Sequence, residues 1–160
     1  MPSRKPLVIV DGKIQQLQAG DSLDAPVSAV DVQPFTNDNA GAIVIGQPVY
    51  SSSNDSVDLA RANASGTVEV LGLVRAASIS AAGSGDIQTD GVLTATTGQW
   101  DTVTGGSGGL VYNTVYYLDP DTAGMLTETA PTTAGQYVVR VGRAISTVSM
   151  EIQVSQPIKL

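Results

Sequence analysis

Ser65-Gly66-Thr67-Val68-Glu69-Val70-Leu71-Gly72-Leu73-Val74-Arg75-Ala76 is a β-prone run punctuated by glycine. It is answered by Ala134-Gly135-Gln136-Tyr137-Val138-Val139-Arg140-Val141-Gly142-Arg143-Ala144-Ile145. Stiff, β-branched valines favour a pleated, half-buried surface over a helix. Neighbouring stretches repeat in the same order. Gly46-Gln47-Pro48-Val49-Tyr50 is matched by Tyr112-Asn113-Thr114-Val115-Tyr116, and Asp86-Ile87-Gln88 by Glu151-Ile152-Gln153. Each copy reads as strand, polar loop, glycine-containing strand, short connection, strand. Two copies are too few for a solenoid, which wants three or more. The pattern therefore predicts a duplicated β-unit, with copies at 41–92 and 109–157, folded into one compact sandwich or barrel.

Working outward, β-prone runs alternate with turn residues at Ala42–Ile45, Val68–Ala76, Val92–Thr97, Val111–Leu118, Tyr137–Ile145 and Val148–Val154. In Ser149-Met150-Glu151-Ile152-Gln153-Val154 polar and apolar residues alternate, which predicts a strand with one wet face. Gly or Pro interrupts nearly every window long enough for a helix. The longest stretch without either, Val49–Ser65, is rich in Ser, Asn and Asp, and one helical turn is expected at Asp58–Ala62. Residues 1–25 read as an extended N-terminal arm, in which Asp11-Gly12 forms a hairpin turn between Leu7-Val8-Ile9-Val10 and Lys13-Ile14. The expected fold class is all-β, with arm 1–25 and body 26–160.

The chain of 160 residues contains neither Cys nor His. Thiol nucleophiles, disulfides, zinc fingers and His-dependent triads are thereby excluded. The net charge of −7 is unevenly spread. Residues 21–128 carry thirteen carboxylates against Arg61 and Arg75, whereas Arg4, Lys5 and Lys13 lie near one end and Arg140, Arg143 and Lys159 near the other. An acidic body repels phosphate backbones, so no nucleic-acid partner is expected. No apolar run approaches the roughly 20 residues of a membrane helix. Leu7–Val10 is too short for a signal core, so a protein made and used without export, with no membrane partner, is expected.

Catalysis needs a nucleophile with a base, paired carboxylates or a metal. Asp119-Pro120-Asp121-Thr122-Ala123-Gly124 is the densest acidic segment, but its spacing suits a turn better than a calcium loop. Gly105-Gly106-Ser107-Gly108-Gly109 lacks the Lys and Ser/Thr of a phosphate loop and reads as a flexible connector. Trp100 suits a core or subunit contact better than a sugar-stacking platform. Tyr112, Tyr116, Tyr117 and Tyr137 suit core or interface. No catalytic, cofactor or metal residue is expected. Trp100, Tyr112, Tyr116 and Tyr117 stand as candidate subunit contacts.

The segment from Arg4 to Asp21, Arg-Lys-Pro-Leu-Val-Ile-Val-Asp-Gly-Lys-Ile-Gln-Gln-Leu-Gln-Ala-Gly-Asp, resembles an opening shared by head-decoration and tail-fibre chains of tailed bacteriophages. Gly46–Tyr50, Leu71-Gly72-Leu73-Val74, Gly91-Val92-Leu93, Val115-Tyr116-Tyr117-Leu118 and Val141-Gly142-Arg143-Ala144 resemble the running pattern of phage capsid decoration, or cement, proteins. The resemblance implies a compact β module, commonly a homotrimer, that sits on the outer surface of the virion and clamps the major capsid protein. In that role Arg4, Lys5, Leu7, Val8, Ile9, Val10, Ile14 and Leu17 form the capsid-contact arm, adding a strand to an exposed edge. A tail-fibre, head-fibre or baseplate component is the alternative, followed by a carbohydrate-binding β module built on Trp100.

Overall fold

The computed structural model describes residues 7–10 and 13–16, as backbone strands, and residues 30–160. Strands β1 (Leu7–Val10) and β2 (Lys13–Gln16) pair antiparallel, from Leu7↔Gln16 to Val10↔Lys13. The rest of the expected arm, including Arg4, Lys5 and Leu17, lies outside the described residues. Among the described residues the body is all-β with one short helix.

Its first half contains β3 (Val32–Asn37), β4 (Ile43–Val44), β5 (Pro48–Ser53), β6 (Ser56–Leu59), β7 (Val70–Val74), β8 (Ser78–Ile79) and β9 (Ser84–Gln88). Five of these close a barrel in the order β3-β6-β5-β7-β9. Closure depends on a parallel pairing of β3 with β6 (Thr36↔Ser56, Asn37↔Val57) and an antiparallel pairing of β3 with β9. Short β4 and β8 pair with each other. The β5–β6 hairpin turns through Asn54-Asp55, where Asp55 has φ 54°, a conformation that Asp and Asn tolerate better than most residues. The expected helical turn at Asp58–Ala62 is not formed. Asp58 and Leu59 end β6, and the Ala60 N–H continues the ladder by donating to Pro48 O at 3.0 Å. Ala60 and Ala62 are wholly buried, so tertiary packing overrides a weak local preference.

The second half contains β10 (Gly91–Thr94), α1 (Thr97–Thr104), β11 (Val115–Leu118), β12 (Leu126–Thr127), β13 (Tyr137–Val138), β14 (Arg140–Ala144), β15 (Ser149–Ile152) and β16 (Ile158–Lys159). Here a five-stranded sheet runs β10-β15-β14-β11-β12, and β13 pairs with β16. This order repeats that of the barrel, β3-β9-β7-β5-β6, strand for strand. Loop hydrogen bonds repeat as well. Gly46 N–H donates to Val74 O and Asn113 N–H to Ala144 O, both at 2.9 Å; Arg75 N–H donates to Asp86 O and Ile145 N–H to Ser149 O, both at 2.9 Å. Gly46 and Asn113 share the left-handed backbone conformation, with φ 87° and 62°. The ladders match Gly72 with Gly142 and Tyr50 with Tyr117. That is one residue away from the match suggested by sequence, and in a strand one residue exchanges the two faces. They also place the division between the halves after β9, so that β10 opens the second unit.

The units differ at one seam. The counterparts of the paired β3 and β6 are β10 and β12, which do not pair, so the second sheet stays open. Helix α1 lies in the connection between β10 and β11. Its start is a capping box: Gln99 N–H donates to Thr96 Oγ1 at 3.2 Å, and Thr96 N–H donates to Gln99 Oε1 at 2.8 Å. Gly105 ends it at φ 69°. Trp100 and Val103, three residues apart on one face, are both fully buried.

Two cores result. Ile43, Val49, Val57, Val74, Ile79 and Ile87 fill the barrel. A larger cluster joins the halves, including Ile45 and Leu73 of the first unit with Trp100, Tyr116, Leu126, Val141 and Met150 of the second. Val74 faces the barrel and Leu73 the joint, so β7 is buried on both sides; this explains its unbroken apolar run. Each such side chain contributes about 1.5–3 kcal/mol on burial.

Candidate functional site

The outer face of the second sheet is built by cross-strand neighbours, which project to the same side. One row runs Val92, Glu151, Arg143, Val115 across β10, β15, β14 and β11; a second joins Arg140, Tyr117 and Thr127. None of these residues is buried. Arg143 Nη1 donates to Asn113 Oδ1 at 2.9 Å, and Arg140 donates to the Gln153 side-chain oxygen. Those bonds orient the guanidinium groups, and no carboxylate lies within salt-bridge distance of them among the described residues. At the turn before β11, next in the chain to Asn113, Tyr112 is 72% exposed and Val111 is exposed as well.

The repeated strand order shows what is unusual here. In the first unit the counterparts of Tyr112, Arg143 and Arg140 are Ile45, Leu73 and Val70. Ile45 and Leu73 are buried in the joint, and Val70 packs against it. The second unit carries two arginines and a tyrosine in place of this apolar set, and its face is uncovered. Sequence reading identified the tyrosines but not Arg140 and Arg143 as their partners. Aligning the copies one residue further would have exposed the substitution.

Among the candidate contacts, two require correction. Trp100 is 0% exposed, and its Nε1–H donates to Val148 O at 2.9 Å. Tyr116 is equally buried; its hydroxyl accepts from Val111 N–H at 2.9 Å and donates to Glu128 Oε1 at 3.2 Å. Both belong to the core of a single chain and offer no surface to a second subunit, and Trp100 offers no platform for a sugar ring. Tyr112 and half-buried Tyr117 remain available. Burial, together with the charge of Glu128, raises the Tyr116 phenol above its ordinary range, whereas the Val111 hydrogen bond opposes the shift.

The other loops are structural. Asp119 Oδ1 accepts from the N–H groups of Asp121 and Thr122, both at 2.7 Å, which makes the acidic segment a side-chain-stabilised turn. The glycine run is not a loose connector between halves. It lies inside the second unit, where the Asp101 carboxylate accepts from Gly108 N–H at 3.1 Å and Gly109 N–H at 2.7 Å. Among the described residues no three acidic, His or Cys side chains converge as a metal site would require. Leu7, Val8, Ile9 and Val10 lie on β1 and Ile14 on β2, and their side-chain contacts fall outside what is described. Compared with known proteins, the chain matches no protein-family model and no curated sequence.

Proposed function

We propose that this protein is a structural component of a tailed-phage virion, a decoration protein that binds the outside of the major capsid protein shell and stabilises it without chemical turnover. The observation that carries the proposal is the uncovered Tyr112–Arg143–Arg140–Tyr117 face on a rigid, doubly cored β body. Tyrosine and arginine are enriched at the centres of protein interfaces, where large planar groups bind at low entropic cost. A clamp needs a stiff scaffold bearing such a patch, and the two packed cores supply one. Assembly as a homotrimer multiplies modest contacts through effective concentration. The outward-facing arginines suit an acidic protein surface, whereas the net charge of −7 on the whole chain disfavours DNA.

The test mixes purified protein with expanded capsids lacking it. Saturable attachment, with capsids then resisting heat better, supports the proposal. Capsids that neither bind the protein nor gain heat resistance overturn it. Labelling confined to the tail would instead favour the fibre or baseplate role.

A further inference from the structure

A cavity of about 290 Å³ lies between the two halves, lined by Val30, Ile45, Arg75, Gln88 and the consecutive β10 residues Val92, Leu93 and Thr94. Leu93 points into the core, whereas Val92 and Thr94 are exposed. A space touching both faces of one strand lies along its edge. Strand β15 holds one edge of β10 and contributes nothing to the lining, so the cavity lies along the other edge, which pairs with no strand among the described residues. The ladder phase agrees. Ala95 N–H donates to Val148 O at 2.9 Å on the β15 side, so Gly91 and Leu93 face β15, and the N–H and C=O groups of Val92 and Thr94 face the opening. In the first unit the equivalent edge, that of β3, is closed by β6. Here no strand among the described residues closes it.

We propose that this edge is a binding site for an extended peptide segment of a partner protein, one carrying an acidic residue beside an aliphatic one, added as a sixth strand to the sheet. Unpaired strand groups in alternating donor–acceptor order are complementary to another extended backbone. Within the cavity Gln88 is 1% exposed; its Nε2 donates to Asp90 O at 2.8 Å, while its Oε1 accepts no hydrogen bond among the described residues and is the acceptor offered to a peptide N–H. Val30, Ile45 and Leu93 form the apolar wall that receives an aliphatic side chain. Arg75 is the charged group of the lining and has no carboxylate within salt-bridge distance among the described residues, so it selects Asp or Glu at the neighbouring position. The site stands independently of the capsid role.

The probe is a fluorescein-labelled acetyl-Ser-Thr-Val-Glu-Val-Thr-Ser-amide, titrated by anisotropy against the full-length protein. Saturable binding is expected, weakened at least tenfold when Lys replaces Glu in the peptide. Val92→Pro deletes an N–H that faces the opening and spares the β15 ladder, and it should weaken binding at least tenfold with an unchanged melting curve. Arg75→Glu, a surface change that leaves the fold intact even if the proline variant does not fold, should reverse the preference from the Glu to the Lys peptide. Absence of saturable binding, equal binding by a folded Val92→Pro protein, or tighter binding of the Lys peptide to the unaltered protein overturns the assignment. Peptide binding without capsid attachment leaves this site standing while removing the capsid role.

Discussion

Gly72 and Gly142 occupy the same place in the two halves. A Cβ built on either would lie under 3.0 Å from a carbonyl oxygen of the neighbouring strand, that of Gln88 for Gly72 and that of Glu151 for Gly142. Neither glycine has a positive φ. What each supplies is close approach of the backbone, letting β7 lie against β9 and β14 against β15 at a point where the strands press together.

Gly72→Ala and Gly142→Ala should therefore each destabilise the fold by about 1–3 kcal/mol through overpacking against immobile backbone. Gly66→Ala, where a Cβ meets nothing within 4 Å, should change stability by less than about 0.5 kcal/mol. Urea midpoints of the three variants check both statements. Equal midpoints for all three would remove the packing role of the paired glycines.

Trp100 is the only tryptophan and reports directly on the joint between the halves. Its emission should be blue-shifted in the native protein and move to the red on unfolding. Trp100→Phe loses the bond to Val148 O and part of the ring volume, and should cost about 2–4 kcal/mol in a denaturant titration. A Cβ on Gly46 would sit 2.9 Å from the indole ring, so Gly46→Ala, strained also by its φ of 87°, should destabilise too.

Stability should fall at alkaline pH. The neutral phenol of Tyr116 is favoured in the folded chain because its native pKa lies above the unfolded value of 10.0. Its contribution is fully present below pH 10 and is lost as pH rises through the raised native value. Tyr50, raised by burial and then by Asp58 and Asp38, acts in the same direction. Tyr116→Phe should flatten part of this loss, measured as the melting temperature between pH 9 and 11.

Asp101→Ala should free the backbone of Gly108 and Gly109 and cost about 1–3 kcal/mol, the usual loss when a charged hydrogen-bond acceptor is removed. Amide exchange at 106–110 should accelerate while the barrel strands stay protected. Protection unchanged at these glycines would contradict this role of Asp101.

How far the fold could be read from sequence varied with the physics of each segment. The strands around Gly72 and Gly142 were legible because β-branched runs and glycines are strong local signals. Helix α1 was not, since Thr97-Gly98-Gln99-Trp100-Asp101-Thr102-Val103-Thr104 is poor in helix formers. Its capping box, Thr96 to Gln99, was the visible sign. Compensation comes from the tertiary burial of Trp100 and Val103, while the Thr102 and Thr104 hydroxyls donate back to the Gly98 and Trp100 carbonyls, both at 3.0 Å. The seam between β10 and β12 was invisible because non-local pairing leaves no local mark. The arginine–tyrosine face was half legible: composition marks tyrosine as a contact residue, but only strand register sets Arg140 beside Tyr117.

The proposed capsid-binding face is tested most directly by Tyr112→Asp combined with Arg143→Gln, a change that places no second carboxylate opposite Glu151, followed by electron cryo-microscopy of expanded capsids incubated with either protein. Both side chains are exposed, so the melting temperature should not change. The unaltered protein should add ordered density to the outer shell, and the double variant should leave the shell bare at the same concentration. Full occupancy by the double variant, or bare shells with the unaltered protein, would contradict the account.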